Sequence, residues 1–162
     1  MKAVALLALC SLAVPVGWSA DTDSIESVVK AVYETISGPA GPRNWTRFRS
    51  LFADGGRLIA MRTTAEGTVP SMMSPEDYEK RTTPNFEKNG FFEVAVAQRV
   101  ETFGAIAHVF STYESRRAPG EKPFARGINS FQLVRHGNAW KVMTILWDSE
   151  REGNPIPEKY LK

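Results

Sequence analysis

The chain has 162 residues, 43% of them apolar, with 20 basic against 18 acidic side chains and a single cysteine. That is apolar material for one core and too little chain for several domains. The basic residues are scattered among acidic ones, which gives no electrostatic reason to expect a nucleic-acid partner, and one cysteine excludes a disulfide framework or a cysteine-based metal site.

Lys2, an apolar run over 3–16 and the small residues Gly17 and Ser19 have the charged, apolar and cleavable parts of a secretory signal. Pro15 and Gly17 interrupt the run, which is shorter than the ~20 residues of a spanning helix, so a retained anchor is disfavoured. The expected organisation is a signal peptide over 1–19, with cleavage after Ser19 favoured over Ala20, then one domain over 20–162. The expected product is secreted or periplasmic, with no membrane association once the signal is removed. Of the 20 basic residues only Lys2 lies in this segment, so the remainder carries 19 basic and 18 acidic side chains. Cys10 is also in it.

Asp23 and Glu26 have capping-box spacing, and Ile25, Val28, Val29, Val32, Tyr33 and Ile36 then recur at three and four residues, which predicts a helix. Gly38-Pro39-Ala40-Gly41-Pro42 ends it. A short second helix places Trp45, Phe48, Leu51 and Phe52 on one side. Asp54-Gly55-Gly56 predicts a turn, 57–62 a strand, and 68–73 a returning strand after Glu66-Gly67. Ser74-Pro75-Glu76-Asp77 is a helix start carrying Tyr78, and that helix is expected to fail near Pro84.

From Phe91 onward the period changes to two. Four long strands are predicted, at 91–103, 105–117, 124–135 and 139–149, joined by short glycine- and proline-rich turns as an antiparallel meander. The tail Asn154-Pro155-Ile156-Pro157 cannot continue a central strand and is expected to lie extended over the fold. The fold class is therefore α+β, with N-terminal helices packed on a curved, mainly antiparallel sheet.

Alternation assigns the faces. Asn129, Phe131 and Leu133 share one side of the third long strand, and Met143, Ile145 and Trp147 one side of the fourth. Both faces of that last strand are apolar, and a second copy of the chain is the simplest cover for the outer one, so a homodimer is expected. Incomplete filling beneath the helices would leave a pocket lined by Tyr33, Tyr78, Phe131 and Trp147, suited to a small apolar or aromatic molecule. The bland alternative is that these aromatics simply fill the core. With two histidines far apart in role, neither a metal site nor a cofactor is indicated.

The order of elements resembles the nuclear transport factor 2-like superfamily, also called SnoaL-like, over nearly the whole chain after the signal. Val32-Tyr33-Glu34, Trp45-x-Arg47-Phe48-x-x-Leu51-Phe52-Ala53 and Gly137-Asn138-Ala139-Trp140-Lys141-Val142 carry the likeness. It implies a cone-shaped fold with a pocket between helices and sheet, frequent dimers, and members ranging from enzymes to binding proteins. Among its enzymes scytalone dehydratase is the more similar. Ile106-Ala107-His108 and Ile128-Asn129-Ser130 fall where that family carries an active-site histidine and asparagine, at the same separation. The family's acidic partner falls near Ala40 and one of its tyrosines near Met61. In ketosteroid isomerase the general base would fall on Ala60, the catalytic tyrosine on Ala31 and the oxyanion-holding acid on Asn129.

A neutral imidazole can take or return a proton near neutral pH and an amide can hold an oxygen, so His108 and Asn129 suit water loss or proton abstraction beside a carbonyl. The structural alternatives are a buried, satisfied histidine and an amide bridging strands. Glu93 and Glu114 are the strand carboxylates available to replace the missing acid, and Glu93 shares parity with Arg99 on the outer face. Two readings stand: an exported pocket protein, a cofactor-independent dehydratase or isomerase acting on an apolar or aromatic carbonyl compound through His108 and Asn129; or a non-catalytic ligand-binding or assembly module.

Overall fold

The computed structural model describes residues 20–65 and 67–162. The expected signal peptide, 1–19, lies outside the described residues. The first long helix, α1 (Ile25–Ile36), buries Val28, Val29, Val32, Tyr33 and Ile36 on one face. Removing aliphatic side chains of this size from water contributes roughly 1.5–3 kcal/mol each. Its capping box is displaced by one residue from the expected one. Ser24 Oγ accepts from the Ser27 amide and Ser27 Oγ from the Ser24 amide, because Ser24 rather than Asp23 holds the extended backbone a cap requires.

Arg43 ties off the other end of α1. Its guanidinium donates to the carbonyls of Ile36, Gly38, Pro39 and Gly41, each at 2.9 Å, so carbonyls left open by the helix end and the proline-rich loop are satisfied by one side chain. A short helix, α2 (Trp45–Ser50), follows with Asn44 as its cap, and α3 (Pro75–Phe86) is capped by Ser74. That last helix runs through Pro84 rather than failing there. Proline stands two residues from the end, where little of the hydrogen-bond ladder remains to lose.

The six strands are β1 (Phe52–Thr64), β2 (Gly67–Met73), β3 (Phe92–Phe103), β4 (Ile106–Arg116), β5 (Ala125–His136) and β6 (Ala139–Ser149). They form one curved sheet in the order β2-β1-β6-β5-β4-β3, antiparallel except where β1 runs parallel to β6. The expected turn at Asp54-Gly55-Gly56 is instead an irregularity inside β1, whose pairing to β6 jumps between Phe52 and Arg57. Gly55, at φ 78°, takes the bend. The helices lie on one face of the sheet and the core between them holds Phe48, Leu51, Val109, Phe131, Leu133 and Val142, all fully buried.

Two further bulges decide which side chains face that core. In β3 the register shifts between Ala95 and Ala97, and in β6 Leu133 pairs with Val142 while Gln132 pairs with Thr144. Each extra residue reverses the alternation beyond it. Val142 and Ile145 are consequently both buried, although their numbers have opposite parity.

The C-terminal tail crosses the outer face, as its prolines suggest. Tyr160 packs on Phe110 with ring centroids 4.8 Å apart, its carbonyl accepts from the Thr112 hydroxyl at 2.6 Å, and the Lys159 carbonyl accepts from Arg99. Pro155, Ile156 and Pro157 wall a groove of about 280 Å³ together with Ile128 and Leu146. The chain thus covers part of its own outer face; Met72 and Leu146 stay open, Met72 at 71% exposure.

Candidate functional site

Between the helices and the sheet lies a cavity of about 210 Å³, walled by Val32, Tyr33 and Ile36 of α1, Tyr78 of α3, and side chains of β3 to β6. Tyr33, Tyr78, Phe131 and Trp147, the four residues expected around a pocket, all line it, and so does Asn129. Phe124 lines it while remaining 49% exposed, which places the opening at the start of β5, where Phe124 leans on Phe91 and carries Arg117 over its ring.

Against the expected pairing, His108 and Asn129 do not meet. The cross-strand partner of Asn129 is Ser111. His108 stands three residues from Ser111, an odd offset that turns it to the opposite face of the sheet. There Nε2 of His108 lies 3.0 Å from the Ser130 hydroxyl and Nδ1 3.9 Å from Glu101, beside Arg99, Phe110 and Tyr160. His108 is therefore removed from the cavity and from the proposed pair, and it is neither a buried core histidine nor a partner of Asn129.

The carboxylate in the cavity is Glu93. Parity with Arg99 would put both on the outer face, but the bulge at Val96 lies between them, so Glu93 turns inward and Arg99 outward. Its backbone is pinned by Ser37, whose hydroxyl accepts from the Glu93 amide at 3.0 Å and donates to the Glu93 carbonyl at 3.2 Å, and by the Gly38–Phe91 backbone pair. The end of α1 thereby fixes the start of β3.

Glu93 belongs to a buried polar network. Its Oε2 accepts from the Ser115 hydroxyl at 2.7 Å and its Oε1 from the Asn129 amide at 3.2 Å. Asn129 also donates to the Tyr33 hydroxyl at 3.1 Å, which shares a 2.8 Å hydrogen bond with Ser111, and Ser111 accepts from Gln98 at 3.2 Å. Nearby, Tyr113 bonds Ser149 at 3.1 Å, in space that exists because residue 127 is glycine: a Cβ there would stand 2.6 Å from the Tyr113 hydroxyl and 2.3 Å from the Asp148 carbonyl.

The electrostatics follow from burial in apolar surroundings. Desolvation raises the Glu93 carboxyl above the ordinary glutamate range, and the hydrogen bonds from Ser115 and Asn129 offset this only in part. Burial, then the charge of Glu93, pushes the Tyr33 and Tyr78 hydroxyls up as well, and burial pushes Tyr113 up to about 12. A phenol and a carboxyl whose pKa is raised by burial are groups suited to giving and taking a proton. Among the described residues no three His, Cys, Asp or Glu side chains form a group able to hold a metal ion.

Ser111, Tyr113 and Ser115 were not legible as site residues, and Glu93, a candidate to replace the missing acid, is placed by parity on the wrong face. The signal available was a break in alternation, the four consecutive apolar residues Val94-Ala95-Val96-Ala97, which mark where a bulge can sit.

A carboxyl raised in the folded state binds a proton that the unfolded chain has already released, so folding stability falls as pH rises from about 4.3 through the folded value. Urea unfolding of wild type and Glu93→Gln between pH 4 and pH 8 should show wild type losing stability relative to the variant over that window. A wild type that gains relative stability there would contradict the placement of Glu93.

No family model matches the sequence, and no curated protein matches it. Solved structures do. A nuclear transport factor 2-like protein from Pseudomonas putida superposes with a TM-score of 0.60 at 11% identity, over 82% of this chain and 90% of that one. A candidate scytalone dehydratase from Novosphingobium aromaticivorans gives 0.58 at 14% identity, over 78% and 82%. A candidate calcium/calmodulin-dependent protein kinase type II association domain from Thiobacillus denitrificans gives 0.61 at 9% identity, over 80% and 98%. The fold of the chain is the nuclear transport factor 2-like α+β cone.

Proposed function

We propose that the protein is an exported, cofactor-independent lyase or isomerase that acts on a small apolar or aromatic carbonyl compound, with Glu93 moving the proton and Asn129 positioning it. Export rests on the sequence of residues 1–19 and implies a secreted or periplasmic enzyme. The observation that carries the chemistry is a raised carboxyl in a largely apolar cavity, held on both oxygens by the hydroxyl of Ser115 and the amide of Asn129. A volume of about 210 Å³ exceeds the roughly 150 Å³ that admits benzene and falls below the roughly 300 Å³ of drug-sized sites. It suits one ring with a short substituent.

The carboxylate of Glu93 takes a proton from the carbon beside the carbonyl, and the C–H electron pair moves into an enolate. In a β,γ-unsaturated carbonyl compound that enolate is conjugated, and return of the proton at the γ-carbon moves the double bond to the α,β position and so isomerises the compound. Delivery of the proton to a departing β-hydroxyl breaks the C–O bond and releases water and an unsaturated carbonyl. Glu93 and Tyr33 also wall a second groove of about 480 Å³ between α1 and β3, with Lys30, Glu34 and Gln98.

A second reading concerns assembly. Met72, Ile59 and Leu146 are register neighbours across β2, β1 and β6 on the part of the outer face that the tail leaves open, and a homodimer through this strip would remove them from water.

Incubation with one-ring carbonyl compounds in D₂O, read by NMR, should show exchange beside the carbonyl that Glu93→Gln slows about a hundredfold or more. Equal exchange by both proteins removes Glu93 from the chemistry. For assembly, light scattering at micromolar concentration should give twice the chain mass for wild type and a shift towards the single chain for Met72→Lys. A monomeric wild type discards the dimer.

A further inference from the structure

Tyr78 carries a hydroxyl that the fold does not use. Its ring is held by three others: Phe48 is stacked at 5.4 Å between centroids, and Trp45 and Trp147 meet it edge-on at 6.3 Å and 6.5 Å. These contacts fix where the oxygen points. The oxygen makes no hydrogen bond to any described residue, whereas Tyr33 and Tyr113, the other two tyrosines of the cavity, are both hydrogen-bonded.

A buried tyrosine hydroxyl normally finds a partner, and one sealed off without a partner costs roughly 1–3 kcal/mol. Tyr78 is not sealed off. Among the described residues the only side-chain polar atom both fully buried and without a hydrogen bond is Nε of Arg126, which is ion-paired with Glu114, so open space reaches the Tyr78 oxygen. The cavity between helices and sheet is the one described cavity that Tyr78 lines. Burial, and then the proximity of Glu93 and Tyr113, raises this hydroxyl above the ordinary tyrosine range, and a protonated phenol is a donor.

We propose that the Tyr78 hydroxyl donates a hydrogen bond to an oxygen of the molecule in the cavity, so that the site selects a one-ring compound with an acceptor oxygen over its hydrocarbon isostere. The inference rests on the cavity being a ligand site and is independent of proton transfer by Glu93. The remainder of the lining suits a ring: Phe48, Phe131, Ile145 and Leu58 offer apolar surface without donors, and the Trp147 indole adds a further flat wall. A free donor held by rigid rings in such a wall distinguishes ligands sharply, because the oxygen of a bound ketone would otherwise lose its water partners without replacement.

The test uses two probes of nearly equal shape, acetophenone and α-methylstyrene, which differ by a carbonyl oxygen against a methylene. Affinities for wild type and Tyr78→Phe are read by chemical-shift titration. The substitution should weaken acetophenone roughly tenfold and leave α-methylstyrene within twofold, the second probe also reporting that the variant is folded. Equal weakening of both probes, or of neither, overturns the role of the hydroxyl while leaving the cavity as a ligand site. Failure of wild type to bind either probe overturns the inference together with the ligand-site reading.

Discussion

One extra residue in β3 decides the chemistry of the interior. Between Ala95 and Ala97 the pairing with β4 slips by one position, so the stretch that begins at Phe92 presents Glu93 to the cavity, and the stretch beyond the bulge presents Arg99 to the outer face. A regular strand would send both charges to the same side and leave the cavity with hydroxyls and one amide as its polar groups. A bulge is inexpensive at a sheet edge, where only one neighbour must accommodate it, and β3 is the edge strand. Ser37 and the Gly38–Phe91 bridge hold the strand on the far side of the bulge, which keeps the rotation from relaxing.

Everything polar in the cavity is arranged around that carboxyl. Asn129 reaches from β5 to both Glu93 and Tyr33, so a single amide joins sheet, edge strand and α1. In a low-dielectric interior a network of this kind is stable only when its members are satisfied, and five of them are: Glu93, Asn129, Tyr33, Ser111 and Ser115. Tyr78 stands outside it with an open hydroxyl. Rigid rings behind that hydroxyl and a bonded carboxyl across from it describe a preorganised surface rather than a loose one.

Most of the fold was legible in the sequence because its periodicities are strong. The 3.6 period of α1 and the turn residues between the long strands locate those elements to within a residue or two, and the alternation along β5 correctly turns Asn129 and Phe131 inward since no irregularity precedes them on that strand. The bulges were hidden for a physical reason: Val94-Ala95-Val96-Ala97 is apolar on both faces, so polarity carries no record of where the alternation reverses. The same holds for Val142-Met143 in β6. His108 failed differently. Matching its separation from Asn129 to a family spacing ignored the hairpin register, and pairing Ser111 with Asn129 leaves His108 an odd number of residues away.

The most direct measurement is the set of NMR contacts made by the Glu93 side chain. Nuclear Overhauser effects from its γ-protons to the Asn129 side-chain amide and the Tyr33 ring are the predicted result, since both groups share the cavity with it. Contacts from Glu93 to Phe110 or Tyr160 of the outer face instead would contradict the bulge, the placement of the carboxyl and the chemistry built on it.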